Sequence, residues 1–176
     1  VSIDKHSFAD VMDRTRTSMG GRLLKRWIAM PLLDVSRIRR RQNVVESLLG
    51  DKDLAQELRR EISEIGDLER ISSRVAAGRV TPRELVQLKT SLTAVETLKA
   101  LMESTDVEDL HAIADEIDPA TEVRDRLARE IYPDPQNNQI QKGGIIADGV
   151  SPELDDLRRI ALHGKDVLQQ IQQRES

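Results

Sequence analysis

The stretch Thr81-Pro82-Arg83-Glu84-Leu85-Val86-Gln87-Leu88, continuing without a break in pattern to Met102, decides the fold class. Thr81 can turn its hydroxyl toward the free amides of a first helical turn, and Pro82 stands where no amide hydrogen is needed. Glu84 is placed three residues after the cap, where a carboxylate reaches back to the cap's own amide. A helix must start there. Leu85, Leu88, Leu92, Val95 and Met102 then recur at three-and-four spacing over about six turns, a rod roughly 35 Å long.

Upstream, the same grammar repeats. Thr17 and Ser18 can cap a helix carrying Leu23, Leu24, Trp27 and Ile28 at helical spacing, with Arg22, Lys25 and Arg26 on its other side and Pro31 ending it. Asp34 reads as the cap of a second helix with Val35, Ile38, Val45 and Leu49 toward the core, closed by Gly50. A third runs from Asp53 to about Ile65, and Gly66-Asp67 restarts a fourth through Leu68, Ile71 and Val75, stopped by Gly78.

Downstream, Asp106 and Asp118-Pro119 mark two further starts, the latter helix running to about Ile131 before Pro133 and Pro135 forbid continuation. Residues 133–149, with two prolines, three glycines and a polar Gln-Asn-Asn-Gln run, form a connection with room for a short strand at Ile145-Ile146. Ser151-Pro152-Glu153 opens a final helix whose apolar face is Leu154, Leu157, Ile160, Val167, Leu168 and Ile171. That pattern is unfinished at Ser176, and Val1 is not an initiating methionine, so the expectation is a piece of a longer chain.

Composition agrees with helices. Of 176 residues 38% are hydrophobic, yet Phe8, Trp27 and Tyr132 are the only aromatics, so the core must be Leu, Ile, Val, Met and Ala. The chain has no cysteine, which excludes disulfides and thiolate chemistry. No apolar run approaches the ~20 residues of a spanning helix. A phosphate-cradling loop is missing as well: Gly164-Lys165 has Arg159 where the first glycine belongs and Asp166 after it. Glu108 and His111 have the spacing that di-iron bundles use, but those sites need the motif twice plus two more carboxylates. No Ser, His and acid grouping can be argued from the sequence. The expected catalytic, cofactor and metal sites are therefore none.

Charge is uneven. From Arg14 to Arg41 nine Lys or Arg residues face Asp34 alone, a segment of +8 in a chain of net −4. Arg37, Arg39, Arg40 and Arg41 are the candidates for contact with DNA phosphates. Because the arginines are spread around their helices and no aromatic residue beside them offers base stacking, a solvated face paired with the acidic remainder is the expected reading.

Thr15, Thr17, Met19-Gly20, Arg22-Leu23-Leu24, Trp27 and Pro31-Leu32 together resemble the T-x-T-x-M-G-x-R-L-L-x-x-W-x-x-x-P-L signature of the MutS mismatch-repair ATPases. Asp67-Leu68-Glu69-Arg70 with Arg74, then Thr81-Pro82-Arg83-Glu84-Leu85, are similar to the D-L-E-R and P-R-D-L landmarks of that family, with Glu84 in place of Asp. Gly143-Gly144-Ile145-Ile146, Gly149, Glu153-Leu154-Asp155 and Leu157-Arg158 resemble its G-G-x-I-x-x-G-x-x-x-E-L-D-x-L-R element. The order agrees, and the resemblance covers nearly everything from Ser7 to Glu175, with no landmark between about Leu98 and Gln141.

The resemblance implies an all-α fold: an elongated multi-helix bundle with a long capped helix, a short irregular connection and a final truncated helix. Residues 1–135 would be the helical lever or core domain, 136–150 the connection, and 151–176 the first helix of the DNA clamp. The parent would be a bacterial, cytoplasmic, homodimeric DNA-dependent ATPase that binds mismatched double-stranded DNA, ATP and Mg, with its mismatch reader, its Walker motif and its clamp tip outside this stretch. This chain would be a lever without catalysis, coupling the ATPase to the clamp, and Trp27 would anchor the packing of the early helices. The alternative is an independent DNA-binding helical domain using the Arg14–Arg41 segment, and a short paralogue without repair duty is a third reading.

Overall fold

The computed structural model describes residues 7–174, with side chains through residue 164. Among these residues there are nine α-helices: α1 (Phe8–Met12), α2 (Ser18–Ala29), α3 (Val35–Gly50), α4 (Lys52–Glu64), α5 (Leu68–Ala76), α6 (Pro82–Glu103), α7 (Glu108–Asp115), α8 (Thr121–Glu130) and α9 (Pro152–Arg174). The fold is all-α. No described helix is long and apolar enough to cross a membrane.

Local chemistry starts most of these helices where the sequence indicates. The Thr17 hydroxyl accepts from the Gly20 amide, Asp34 accepts from the Ser36 and Arg37 amides, and Asp67 accepts from Arg70. The capping box at Thr81 and Glu84 is complete in both directions. Gly78 follows α5 at φ +65°, a left-handed value that glycine adopts without a Cβ penalty. Asp51, directly after Gly50, is both the C-cap of α3 and the N-cap of α4, so α4 begins at Lys52, one residue before the expected start.

Two starts differ further. The side chain of Asp118 accepts from the Ala120 amide, a tight local turn that carries the chain through Ala120 at φ +46° and delays α8 to Thr121. Asp106 likewise does not cap α7, which begins at Glu108 after Val107 without any side-chain cap. The expected strand at Ile145-Ile146 is a single antiparallel bridge between Ile131 and Ile146. Tyr132 donates its amide to Ile145 at 2.9 Å and Ala147 donates to Glu130 at 2.9 Å, folding the connection back onto the end of α8.

The bundle is organised around α6. Helices α4, α5, α7 and α8 all pack on it, and α3 lies against α4 and α7. Leu58, Leu98, Met102, Leu110 and Ala114 form the buried cluster, flanked by Val44, Leu48, Leu54, Ile65, Leu101, Val107 and Ile117. The expected stripe on α6 is thus only part of its buried surface: Leu92 and Met102 are buried, Leu85, Leu88 and Val95 are half-buried, and Ser91, Ala94 and Leu98 join them. A helix with neighbours on several sides buries more than one stripe.

On α3 only Ile38 of the expected face is half-buried, and the residues that meet the core are others. Val44 and Leu48 meet the core, whereas Val35, Val45 and Leu49 are exposed. Both pairs have the same four-residue spacing and differ by one position, a 100° rotation that periodicity alone does not resolve. Leu157 and Ile160 of α9 also face solvent. Val167, Leu168 and Ile171, expected on the same face, lie outside the residues whose side chains are described.

Candidate functional site

The sequence landmarks sit far apart along the chain and meet through three arginines. The first is Arg22 on α2. Its guanidinium forks onto Asp67, with Nη1 to Oδ2 at 2.9 Å and Nη2 to Oδ1 at 2.8 Å, while Nε reaches Glu69 at 3.1 Å. The Ser18 hydroxyl donates to the same Asp67 carboxylate at 2.9 Å. Asp67 is held in place because it also caps α5, so one carboxylate fixes a helix start and receives a second helix. Two parallel N–H···O bonds set direction as well as distance.

This clasp governs the titration of Asp67. Hydrogen bonds from Arg22 hold its carboxyl well below the usual range; partial desolvation opposes this, and the Ser18 hydroxyl and Arg70 amide add to the lowering. A carboxylate of depressed pKa contributes stability that is complete above its unfolded value of about 4 and is lost as pH falls below that. In a carbon-detected titration, Asp67 is expected to protonate at clearly lower pH in the native chain than in Arg22→Ala. Identical midpoints would show that the clasp does not form in solution.

The second arginine is Arg74, near the end of α5. Its Nε lies 3.1 Å from Glu84 and its Nη2 donates to the Arg79 carbonyl at 3.0 Å. Glu84 meanwhile receives the Thr81 amide and hydroxyl at 2.8 and 3.0 Å. The Thr81 amide is the main reason its carboxyl lies below the ordinary value, with the Arg74 and Arg70 charges adding to it. The turn between α5 and α6 is thereby braced from both ends.

The third is Arg158 on α9. Nη1 pairs with Asp148 at 2.9 Å, Nη2 donates to the Ile146 carbonyl at 2.9 Å, and the guanidinium lies 5.9 Å from the Tyr132 ring centroid. The nearby Asp148 carboxylate, with desolvation adding to it, raises the pKa of Tyr132. Asp155 accepts from the Gly149 amide at 2.8 Å, where φ is +81°. The last sequence landmark is therefore a knot that fastens the start of α9 to the connection.

Other singled-out residues have local roles. Thr15 donates its amide and hydroxyl to Asp13 at 2.9 and 2.7 Å. A Cβ on Gly20 would lie 3.1 Å from the Thr17 hydroxyl oxygen and 3.3 Å from Thr15 Cβ, so a larger residue would crowd the cap. Met19, Leu24 and Leu154 are half-buried, whereas Leu23, Pro31, Arg70, Glu153 and Leu157 are exposed. Pro82 is fully buried. His111 meets the Thr105 carbonyl through Nε2.

Trp27, expected to anchor the early helices, is not enclosed by them. It is 42% exposed, and its ring carries the Arg41 guanidinium 3.4 Å from its centroid. The early helices are linked there by a cation over an aromatic face rather than by enclosure. Arg40 pairs with Asp109 on α7 at 3.3 Å, and Asn43 donates to the same carboxylate at 3.1 Å. Arg37 and Arg39 are exposed. Of the four candidate phosphate contacts, two are therefore engaged within the bundle, which favours the solvated reading of this helix.

The sequence reading missed Ser18, Asp109, Tyr132 and Asp148 as partners, as well as Ser91 and the contact between Arg124 and Glu96 that ties α8 to α6. Only Ser91 carried a signal, as a small polar residue beside Leu92 within the apolar stretch of α6.

The sequence model of the family described as MutS domain III matches residues 2–175. The DNA mismatch repair protein MutS of Bacteroides thetaiotaomicron is 49% identical over 170 residues, which cover 97% of this chain and 20% of that protein. The MutS of Porphyromonas gingivalis is 40% identical over 96% of the chain and 19% of its own length. That of Salinibacter ruber is 39% identical over 97% and 19%. The chain spans about a fifth of the length of these relatives. With nearly every residue inside the match, the chain belongs to the MutS domain III family.

Proposed function

We propose that this chain is the non-catalytic helical lever of a MutS-like DNA mismatch-repair protein, relaying the nucleotide state of an ATPase elsewhere in the parent to a clamp that continues from α9. The parent binds mismatched double-stranded DNA, ATP and Mg, acts as a homodimer and works in the bacterial cytoplasm. The observation that carries this reading is the arrangement of four helices, α4, α5, α7 and α8, on the unbroken 22-residue α6. Such a spine is about 33 Å long and moves as one body, because packed interiors resist continuous deformation. Arg22 and Arg158 fasten α2 and α9 to that body.

The test has two arms. The isolated chain is expected to hydrolyse no ATP and to bind mismatched and matched duplexes alike; robust turnover would sink the proposal. In the full-length parent, Arg158→Ala is expected to leave basal ATP hydrolysis intact while weakening the response of DNA binding to ATP. An unchanged response would show that α9 is not driven through this knot.

A further inference from the structure

Tertiary structure separates members of the basic segment. Arg22, Arg40 and Arg41 are taken up by Asp67, Asp109 and the Trp27 ring. Arg14 and Arg16 instead meet cations from a different part of the chain. An open cavity of about 450 Å³ is lined by Arg14, Thr15, Arg16 and Arg59. A second, of about 550 Å³, shares Arg16 and Arg59 with it and adds Leu48, Leu49, Lys52, Ala55 and Gln56.

Lys52, Ala55, Gln56 and Arg59 occupy positions 0, 3, 4 and 7 of one face of α4. Two of the four acids of that helix, Asp53 and Glu57, line an adjoining cavity on its flank together with Gln56 and Arg60. Neither of the two joined cavities has a carboxylate in its wall. Among the described residues Arg16, Lys52 and Arg59 form no ion pair, and the side-chain bond of Arg14 goes to the Asp13 carbonyl. A groove lined by one sign of charge focuses its field on whatever enters.

We infer that this groove binds an organic phosphate. Three guanidinium groups present donors only, more forks than the two oxygens of a carboxylate can accept, whereas a phosphoryl group offers three oxygens. Leu48, Leu49 and Ala55 supply an apolar wall for the carbon part of the ester, and no aromatic side chain is present to stack a row of bases. The shared chemistry is the phosphoryl group, whether carried by a free polyphosphate or nucleotide or by a nucleic-acid backbone. This inference does not rest on the lever reading.

The experiment follows arginine Nε resonances of the whole chain during titration with pyrophosphate, ATP and a duplex oligonucleotide. Saturable shifts at Arg16 and Arg59 are expected, with affinity about tenfold lower in Arg16→Gln and in Arg59→Gln. Arg37→Gln and Arg39→Gln on α3 should leave it unchanged. Saturation by pyrophosphate or ATP identifies a free phosphate as the source, and saturation by duplex alone identifies a backbone. Because the four cations are exposed, unaltered thermal unfolding of the variants separates lost binding from lost folding. No shift at millimolar titrant, equal weakening by the α3 variants, or binding of an acidic peptide where phosphate fails would each overturn the inference.

Discussion

Replacing Leu110 with Ala is expected to lower the unfolding free energy by about 2–5 kcal/mol, the range for a leucine removed from a core that relaxes only in part. Leu110 is 2% exposed and belongs to the cluster of Leu58, Leu98, Met102 and Ala114. It is the main anchor of α7, an eight-residue helix with no side-chain cap. A helix that short does not hold in water by itself, so its stability comes from the face it buries. Urea unfolding should show a lower midpoint with an unchanged slope. Ile113→Ala serves as the comparison, since Ile113 on the same helix is 38% exposed. A loss equal to that of Leu110→Ala would mean that α7 does not pack as described.

The second large effect is expected at Ser91, which is 0% exposed in the apolar middle of α6. Its hydroxyl oxygen accepts the Gly66 amide at 2.9 Å and lies 3.4 Å from the Gln87 side-chain nitrogen. Gly66 belongs to the turn between α4 and α5, and Gln87 also donates to the Glu64 carbonyl at 3.2 Å. Ser91→Ala keeps the volume nearly constant yet strands that amide, at a cost of about 1–3 kcal/mol. Exchange of the Gly66 amide with solvent should accelerate in the variant relative to amides in the middle of α4. Unchanged exchange at Gly66 would place its partner elsewhere. Because Ser91 and Leu110 lie in different parts of α6's surroundings, their losses should add within a few tenths of a kcal/mol when combined.

The parts of the structure legible from the sequence are those that a few neighbouring residues decide. Thr17, Asp34, Asp67 and Thr81 cap helices within three residues of themselves, and each does so where expected. Asp118 shows the limit of that reasoning: the same side chain that can cap a helix can also close a tight turn on Ala120, and both options are local. The landmark residues were identifiable as a pattern, but their partners were not. Arg22 and Asp67 are separated by 45 positions, and nothing in the spacing selects Asp67 from the chain's 31 acids.

The sequence by itself determined the all-α class, the order of helices α2 to α9 and the long capped spine, because capping and apolar periodicity act over one or two turns; the short α1 was not expected. Only the tertiary structure decided that α3 turns Val44 and Leu48 inward, that Trp27 stays half open beneath Arg41, and that Arg16 meets Arg59 across a groove. Those outcomes depend on how one helix lies against another. A helix with apolar and basic residues on several sides can be turned to several partners at similar local cost, and the choice belongs to the packing of the whole.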